Sequence, residues 1–172
     1  MPAIFLPMTQ PASLSRSVGS TAVIDTPVGR IRVSATEKAV TGIDYVHGKA
    51  GLKTASTPLT REAVRQLRRY LKNAESAFDL PLQIEGTDFQ RRVWRALRGI
   101  KAGKTMTYGE LAAKLGSGAR AVGNACRRNP ISIIVPCHRV IAANSLGGYS
   151  GKTRGRTLDR KRWLLAHEGF IR

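Results

Sequence analysis

The chemistry in this chain concentrates in the segment Asn129-Pro-Ile-Ser-Ile-Ile-Val-Pro-Cys-His-Arg139. Ile131 to Val135 reads as a buried apolar strand, ended by Pro136, that delivers a thiol followed at once by an imidazole and a guanidinium. A structural cysteine sits among apolar neighbours. Two potential cations flank Cys137 instead, a setting that lowers a thiol pKa and increases its thiolate fraction. Consecutive side chains rarely face each other, so His138 is expected to take the thiol proton through a water or a bend in the chain. An imidazole base also needs an acceptor to fix its tautomer, and the second half of the chain offers Asp88, Glu110, Asp159 and Glu168.

Two units are predicted to carry these groups, after an N-terminal arm over residues 1–20. Thr21 to Asp25, Ile31 to Ser34 and Val40 to Val46 alternate or are bounded by turn residues, which predicts three short antiparallel strands. Thr60 is expected to cap a helix with Ala63, Val64, Leu67, Tyr70 and Leu71 on its apolar face and arginines on the other. Residues 21–85 thus read as a small α/β domain, an antiparallel sheet with a helix, ending in a linker from Phe78. Residues 86–172 read as mostly α. Thr87 or Asp88 caps a helix that stops at Gly99, and Thr107 and Glu110 have the spacing of a capping box. Gly116-Ser-Gly118 separates that second helix from one starting at Ala119, a helix-turn-helix pattern. The last helix has a flank of Ala119, Ala121, Val122, Gly123 and Ala125, with Arg120, Arg127 and Arg128 as its cations. Small side chains let a backbone approach another surface. A nucleic-acid groove accepts the arginines, while a tightly packed core helix with exposed arginines is the alternative.

Charge favours the groove. The 172 residues hold 29 Lys and Arg against 11 Asp and Glu, with 11 basic and 7 acidic side chains before residue 86 and 18 and 4 from there on. A basic second half predicts counterion release on nucleic acid; an amphipathic helix suited to a membrane surface is not evident. No apolar run is long enough to span a bilayer, and residues 1–20 lack the layout of a secretory signal. Cys126 and Cys137 are too few for a stapled secreted scaffold and match no structural-zinc spacing, which predicts a reduced, cytoplasmic setting.

Seven segments together resemble the O6-alkylguanine-DNA alkyltransferase (methylated-DNA–protein-cysteine methyltransferase) family: Gly86–Trp94, Thr107–Ala112, Ala119–Gly123, Asn129-Pro130, Ile134–Ile141, Gly147–Gly151 and Trp163–Gly169. The resemblance covers about residues 21 to 170 and is loose in the first half. It implies that Cys137 takes the alkyl group from guanine O6 by in-line displacement, that His138 accepts the thiol proton through a water, and that Glu168 holds the His138 tautomer. It implies that Asn129 is a hinge tied to the catalytic network, and that Tyr108 donates toward the leaving base. Arg120 would fill the gap left by a flipped lesion, with Ala119, Ala121, Gly123, Arg127 and Arg128 of the same helix against the minor groove. The backbone of Val140 and the loop of Tyr149, Ser150 and Gly151 would line the base pocket. The partner is duplex DNA with an alkylated guanine, no cofactor or metal is expected, and the protein would be a monomer, with cooperativity on DNA left open. A thioether is not cleaved by water, so transfer would occur once per molecule.

The chain departs from the family pattern at Lys152–Thr157, which lengthens the loop beside the pocket, and lacks the Cys and His ligands of the family's zinc-bearing members, His47 being the only such residue before 126. The alternative in the binding class is a non-catalytic, alkyltransferase-like lesion recogniser. Such relatives lack the reactive cysteine. Among the remaining residues, Cys126, Trp94 and Trp163 are expected in packing, His47 in a solvated loop and His167 partly exposed. The basic run Arg154 to Arg162 is read either as a wet helix face with Leu158 and Leu165 inward or as a DNA contact.

Overall fold

A computed structural model of the protein describes residues 19–48 and 50–171. The expected arm lies outside them except for Gly19 and Ser20, and Ser20 already opens the first strand. Strands β1 (Ser20–Ile24), β2 (Ile31–Ala35) and β3 (Val40–Tyr45) form an antiparallel sheet in the order β1-β2-β3. β2 shows why it is a strand: Ile31, Val33 and Ala35 are buried while Arg32 between them is exposed. Helix α1 (Pro58–Lys72) covers this face with Ala63, Val64, Leu67 and Tyr70. Its cap is Thr57, with Thr60 at the third helical position completing a capping box, one turn earlier than expected. Pro58 explains the shift, because proline fits the first helical position, where no amide hydrogen bond is needed.

The second half adds α2 (Asp88–Arg98), β4 (Met106–Thr107), α3 (Tyr108–Lys114), α4 (Ala119–Arg127), β5 (Val140–Ile141) and α5 (Arg156–His167). Thr107 caps α3 through a capping box, as its spacing predicts, and of the two candidates for α2 it is Thr87 that caps, with Gln90 completing a second box. α3 and α4 pack on each other across Leu115–Gly118, giving the helix-turn-helix. α4 is held from behind by Trp94, whose indole donates to the Ala125 carbonyl at 2.9 Å. β4 pairs in parallel with β5, which brings Tyr108 beside the chain leaving the Cys-His-Arg segment.

The two halves share one core. On β3, the Ile43 amide donates to the Pro130 carbonyl at 2.9 Å and the Ile43 carbonyl accepts from Ser132 at 3.2 Å. Ile131 to Val135 is consequently not the expected strand. It makes one bridge to β3 and then folds back on itself, Val135 donating to the Ile131 carbonyl at 3.0 Å. Ile133 turns the corner at φ 74°, a region that β-branched residues avoid, and is buried. Apolar burial on all sides hides the direction of the backbone in such a run, which is why it reads as a strand. Cys137–Arg139 follows as one turn of 3-10 helix.

In the basic run Arg154, Arg156 and Arg162 are exposed and Leu165 is buried, but two of its cations depart from both expectations. Arg160 and Lys161 point inward: Arg160 Nε donates to the Val28 carbonyl at 2.9 Å and its guanidinium lies 4.4 Å from the Tyr45 ring centroid, while Lys161 is fully buried. No helix among the described residues is long and apolar enough to cross a membrane.

Gly86, just before α2, has no room for a side chain, since a Cβ there would lie 2.6 Å from the Trp94 ring. Gly86→Ala should therefore destabilise the protein by about 1–3 kcal/mol, read as a lower urea midpoint.

Candidate active site and DNA interface

Glu168, at the end of α5, is the hub of the site. Its Oε1 accepts from Tyr70 Oη at 2.6 Å, lies 2.9 Å from His138 Nε2 and accepts from the Arg139 guanidinium at 2.8 Å; Oε2 accepts from Arg139 Nε at 3.0 Å and from the Gly103 amide at 3.4 Å. Burial alone would raise the Glu168 pKa, but the hydrogen bonds from His138, Arg139 and Tyr70 hold it well below the ordinary value of 4.5. An ionised carboxylate only accepts, so His138 Nε2 carries the proton of that contact. Burial pushes the His138 pKa down against the pull of Glu168, leaving a neutral ring whose lone pair is on Nδ1. Nδ1 is buried and has no hydrogen-bond partner. A proton acceptor is thereby oriented and left unengaged.

Cys137 is 4% exposed and lines a pocket of about 270 Å³. Its Sγ accepts from Asn129 Nδ2 at 3.2 Å, and the same nitrogen donates to the Val135 carbonyl at 2.7 Å. Asn129 Oδ1 accepts from the Ile131 amide at 3.0 Å, so this side chain spans the folded-back segment. The expectation of a thiol pKa lowered by its two neighbours in sequence is corrected here. His138 and Arg139 turn toward Glu168, and desolvation raises the Cys137 pKa, opposed by the Asn129 hydrogen bond and the charge of Lys161. Lys161 Nζ donates to the carbonyls of Val140 at 2.6 Å and Gly148 at 2.9 Å. Burial lowers its pKa to about 8, opposed by the two cysteines.

Tyr108, Tyr149, Ser150 and Gly151 line the pocket, with Gly123 and Arg127 from α4. Val140 is buried and is not among the residues lining this pocket; its carbonyl accepts from Lys161. Ser150 (φ 47°) and Gly151 (φ 76°) make the tight turn of a two-residue bridge between Tyr149 and Lys152. Arg127 lies so close over Gly151 that a Cβ there would be 2.7 Å from its Nε. Tyr108 donates to the Gly148 carbonyl at 3.2 Å, and Tyr149 is tied to Tyr45 of β3 by a 3.0 Å contact between hydroxyls. Outside the pocket, Tyr108 and Gly123 also line a second concavity with Ala119, Arg120 and Ala142. Ala119, Arg120 and Arg128 are exposed and Ala121 is half-buried. The concavity beside α4 and the thiol pocket are thus joined through two shared residues.

Two family models match, the 6-O-methylguanine DNA methyltransferase ribonuclease-like domain over residues 21–84 and the DNA binding domain of the same methyltransferase over residues 88–170. The chain belongs to this family. A methylated-DNA–protein-cysteine methyltransferase of Methanosarcina acetivorans is 42% identical over 155 residues, spanning 86% of this chain and 97% of the relative, and the constitutive one of Bacillus subtilis is 40% identical over 138 residues, 74% and 84%. The crystal structure of the Mycobacterium tuberculosis O6-methylguanine methyltransferase superposes with a TM-score of 0.75 at 37% identity, covering 88% of this chain and 93% of that one. The complex of the M. tuberculosis protein with DNA gives 0.72 at 40%, covering 86% and 91%.

Within this methyltransferase fold, Tyr70 and Lys161 are the two site residues that sequence reasoning misses. Tyr70 falls on the apolar face of α1, where a hydroxyl is the only hint. Lys161 falls between Leu158 and Leu165 on the inward face of α5, a lysine out of phase with a wet surface. Of the other residues, Cys126 is buried and lines the Cys137 pocket, His47 is exposed, and His167 is half-buried, its Nε2 2.7 Å from the Tyr70 carbonyl. Among the described residues no three His, Cys, Asp or Glu side chains gather as metal ligands.

A carboxylate with a depressed folded-state pKa stabilises the fold above its unfolded value near 4.5, and that contribution is lost as pH falls toward the folded value. Glu168→Gln should cost about 3 kcal/mol at pH 7 by breaking a buried ion pair, and should flatten the decline in stability below pH 4.5 seen in urea titrations of the parent.

Proposed function

We propose that the protein repairs O6-alkylguanine in duplex DNA by flipping the base and moving the alkyl group irreversibly to Cys137. The observation that carries this reading is a thiol lining a base-sized pocket, next to a neutral histidine with an unengaged nitrogen and a recognition helix on the pocket rim. The Cys137 proton passes through a water to His138 Nδ1, and Glu168 stabilises the imidazolium that forms. Sulfur then attacks the alkyl carbon in line: the S–C bond forms, the C–O6 bond breaks, and its electron pair leaves with the guanine. Tyr108 exchanges its bond to the Gly148 carbonyl for one to the base, where negative charge develops. Lys161 favours the thiolate by its charge and braces the pocket loop through Gly148. Tyr70 and Arg139 are positioning residues that act through Glu168.

On this reading Arg120 inserts where the base has left the stack, and Ala119, Ala121 and Gly123 let the α4 backbone approach the minor groove, with Arg127 and Arg128 near phosphates. Residues 21–85 serve as the scaffold unit and 86–172 as the DNA and alkyl-transfer unit. Two free cysteines support a reducing, cytoplasmic compartment. The product thioether resists water, which supports action once per molecule.

Incubation with duplex DNA carrying O6-methylguanine should add the mass of one CH2 to the peptide containing Cys137, at no more than one per chain. Cys137→Ser should bind the same duplex and gain nothing; continued turnover, or binding by the parent without mass gain, would overturn the mechanism. Arg120→Ala should slow repair of duplex DNA by roughly tenfold or more, the order expected when one well-placed arginine interaction with DNA is removed, while transfer from the free alkylated base is unchanged. Equal repair of duplex DNA by this variant and the parent would remove α4 from the role given to it.

A further inference from the structure

A concavity of about 820 Å³ lies far along the chain from the thiol pocket, between α1 and the segment Leu52–Ala55 that pairs with β1 through Val23 and Lys53. Its walls carry Lys53, Arg61, Arg65, Arg68, Arg69 and Lys72, all at least partly exposed. Two carboxylates lie near them, and both are engaged: Asp25 with Arg30 at 2.7 Å, and Glu62 with Arg65, which holds the Glu62 carboxyl down at about 2. Arg68 and Lys72 have no ion-pair partner among the described residues.

This arrangement costs the isolated helix stability. Arg61 and Arg65, Arg65 and Arg69, and Arg68 and Lys72 stand four residues apart, and Arg65 and Arg68, like Arg69 and Lys72, three apart, so like charges face each other along α1. Each such pair opposes the helix by a few tenths of a kcal/mol. A polyanion laid along the groove would reverse the sign. From Arg61 to Lys72 the cations extend over roughly 16 Å of helix axis, a length over which a DNA duplex presents several phosphates. The N-terminal segment of the chain itself does not suit the groove, because Arg16 is the only charged side chain in residues 1–18.

α1 packs on the sheet, whereas α4 packs on α2 and α3, so the two cationic surfaces belong to different elements. We propose that the α1 groove binds the sugar–phosphate backbone of a second DNA segment, distinct from the one held at α4. The proposal rests on the reading of α4 as the primary DNA site. One molecule then bridges two segments, and can pass between them without entering free solution.

The test uses the full chain and its Arg68→Glu/Lys72→Glu variant, with helix content checked by circular dichroism and Arg68→Ala/Lys72→Ala as the milder pair. Two undamaged duplexes, one with a donor and one with an acceptor dye, are mixed with protein and energy transfer between them is followed. The parent should bring the dyes together; the variants should require roughly tenfold or more protein to do so, and should lower the slope of log affinity against log salt by about 2, one for each phosphate no longer neutralised. Alkyl transfer from the free base and from a single short duplex should be the same in all three proteins. Absence of bridging by the parent, or bridging equal in parent and variants, which would place it in protein–protein assembly, overturns the proposal. So does a variant that loses affinity for polyglutamate while keeping its salt slope on DNA, since the groove would then serve an acidic protein segment. Failure of alkyl transfer to Cys137 in the parent would strike the primary reading instead, and is read independently of the dyes.

Discussion

A buried negative charge has to be matched, and in this protein the charge is Glu168. One carboxylate oxygen gathers Tyr70, His138 and Arg139, and the other takes Arg139 and the Gly103 amide. Those donors come from α1, from the 3-10 turn bearing the thiol and from the loop after α2, so a single desolvated group closes the structure around the active site. Left unmatched in this interior, the carboxylate would cost several kcal/mol. Matching it requires the first half of the chain to dock on the second. The small sheet domain thus helps to build the site: Tyr70 reaches Glu168, and Tyr45 reaches the pocket through Tyr149.

The same burial sets the terms of the chemistry. A thiol taken out of water resists ionisation, so Cys137 at rest is poorly nucleophilic and protected. The fold sets Asn129 on the sulfur, the Lys161 charge nearby, and next in sequence His138, whose pKa desolvation lowers and whose ring Glu168 orients. A reagent that acts once benefits from this restraint, because a permanently ionised thiol would be spent on adventitious electrophiles and oxidants. The hydroxyl of Tyr108 donates to a backbone carbonyl of the pocket loop, a neutral hydrogen bond of modest net strength.

Cation placement divides the surface by use. Lys161 and Arg160, in the middle of the most basic run, are structural: one braces the pocket loop through carbonyls and the other stacks on Tyr45 and clasps the β1–β2 turn at Val28. Arg127 is intermediate, packed over Gly151 at the pocket edge. Arg120 and Arg128 on α4 and Arg68 and Lys72 on α1 are exposed, as are Arg95 and Arg98 on α2 and Lys101 and Lys104 after it, and all of them add to the long-range attraction for DNA.

Local physics is readable without coordinates. The strands over 20–45, the helix start near Thr87, the capping box at Thr107 and the glycine break before α4 all follow from interactions between residues a few positions apart, which short-range spacing encodes. The cap at Thr57 escapes by one turn because Thr60 belongs to the same box. Beyond that reach the chain is ambiguous. Four carboxylates compete for the histidine, and only packing selects Glu168; Tyr70 lies 98 residues from its partner; Lys161 looks solvated in a basic run and is interior. The direction of the Cys137 shift is misread from sequence for the same reason. Neighbouring residue types suggest which charges are available, but desolvation depends on how much of the rest of the molecule closes over the sulfur, and the attraction between charges on the distance at which the folded chain finally sets them.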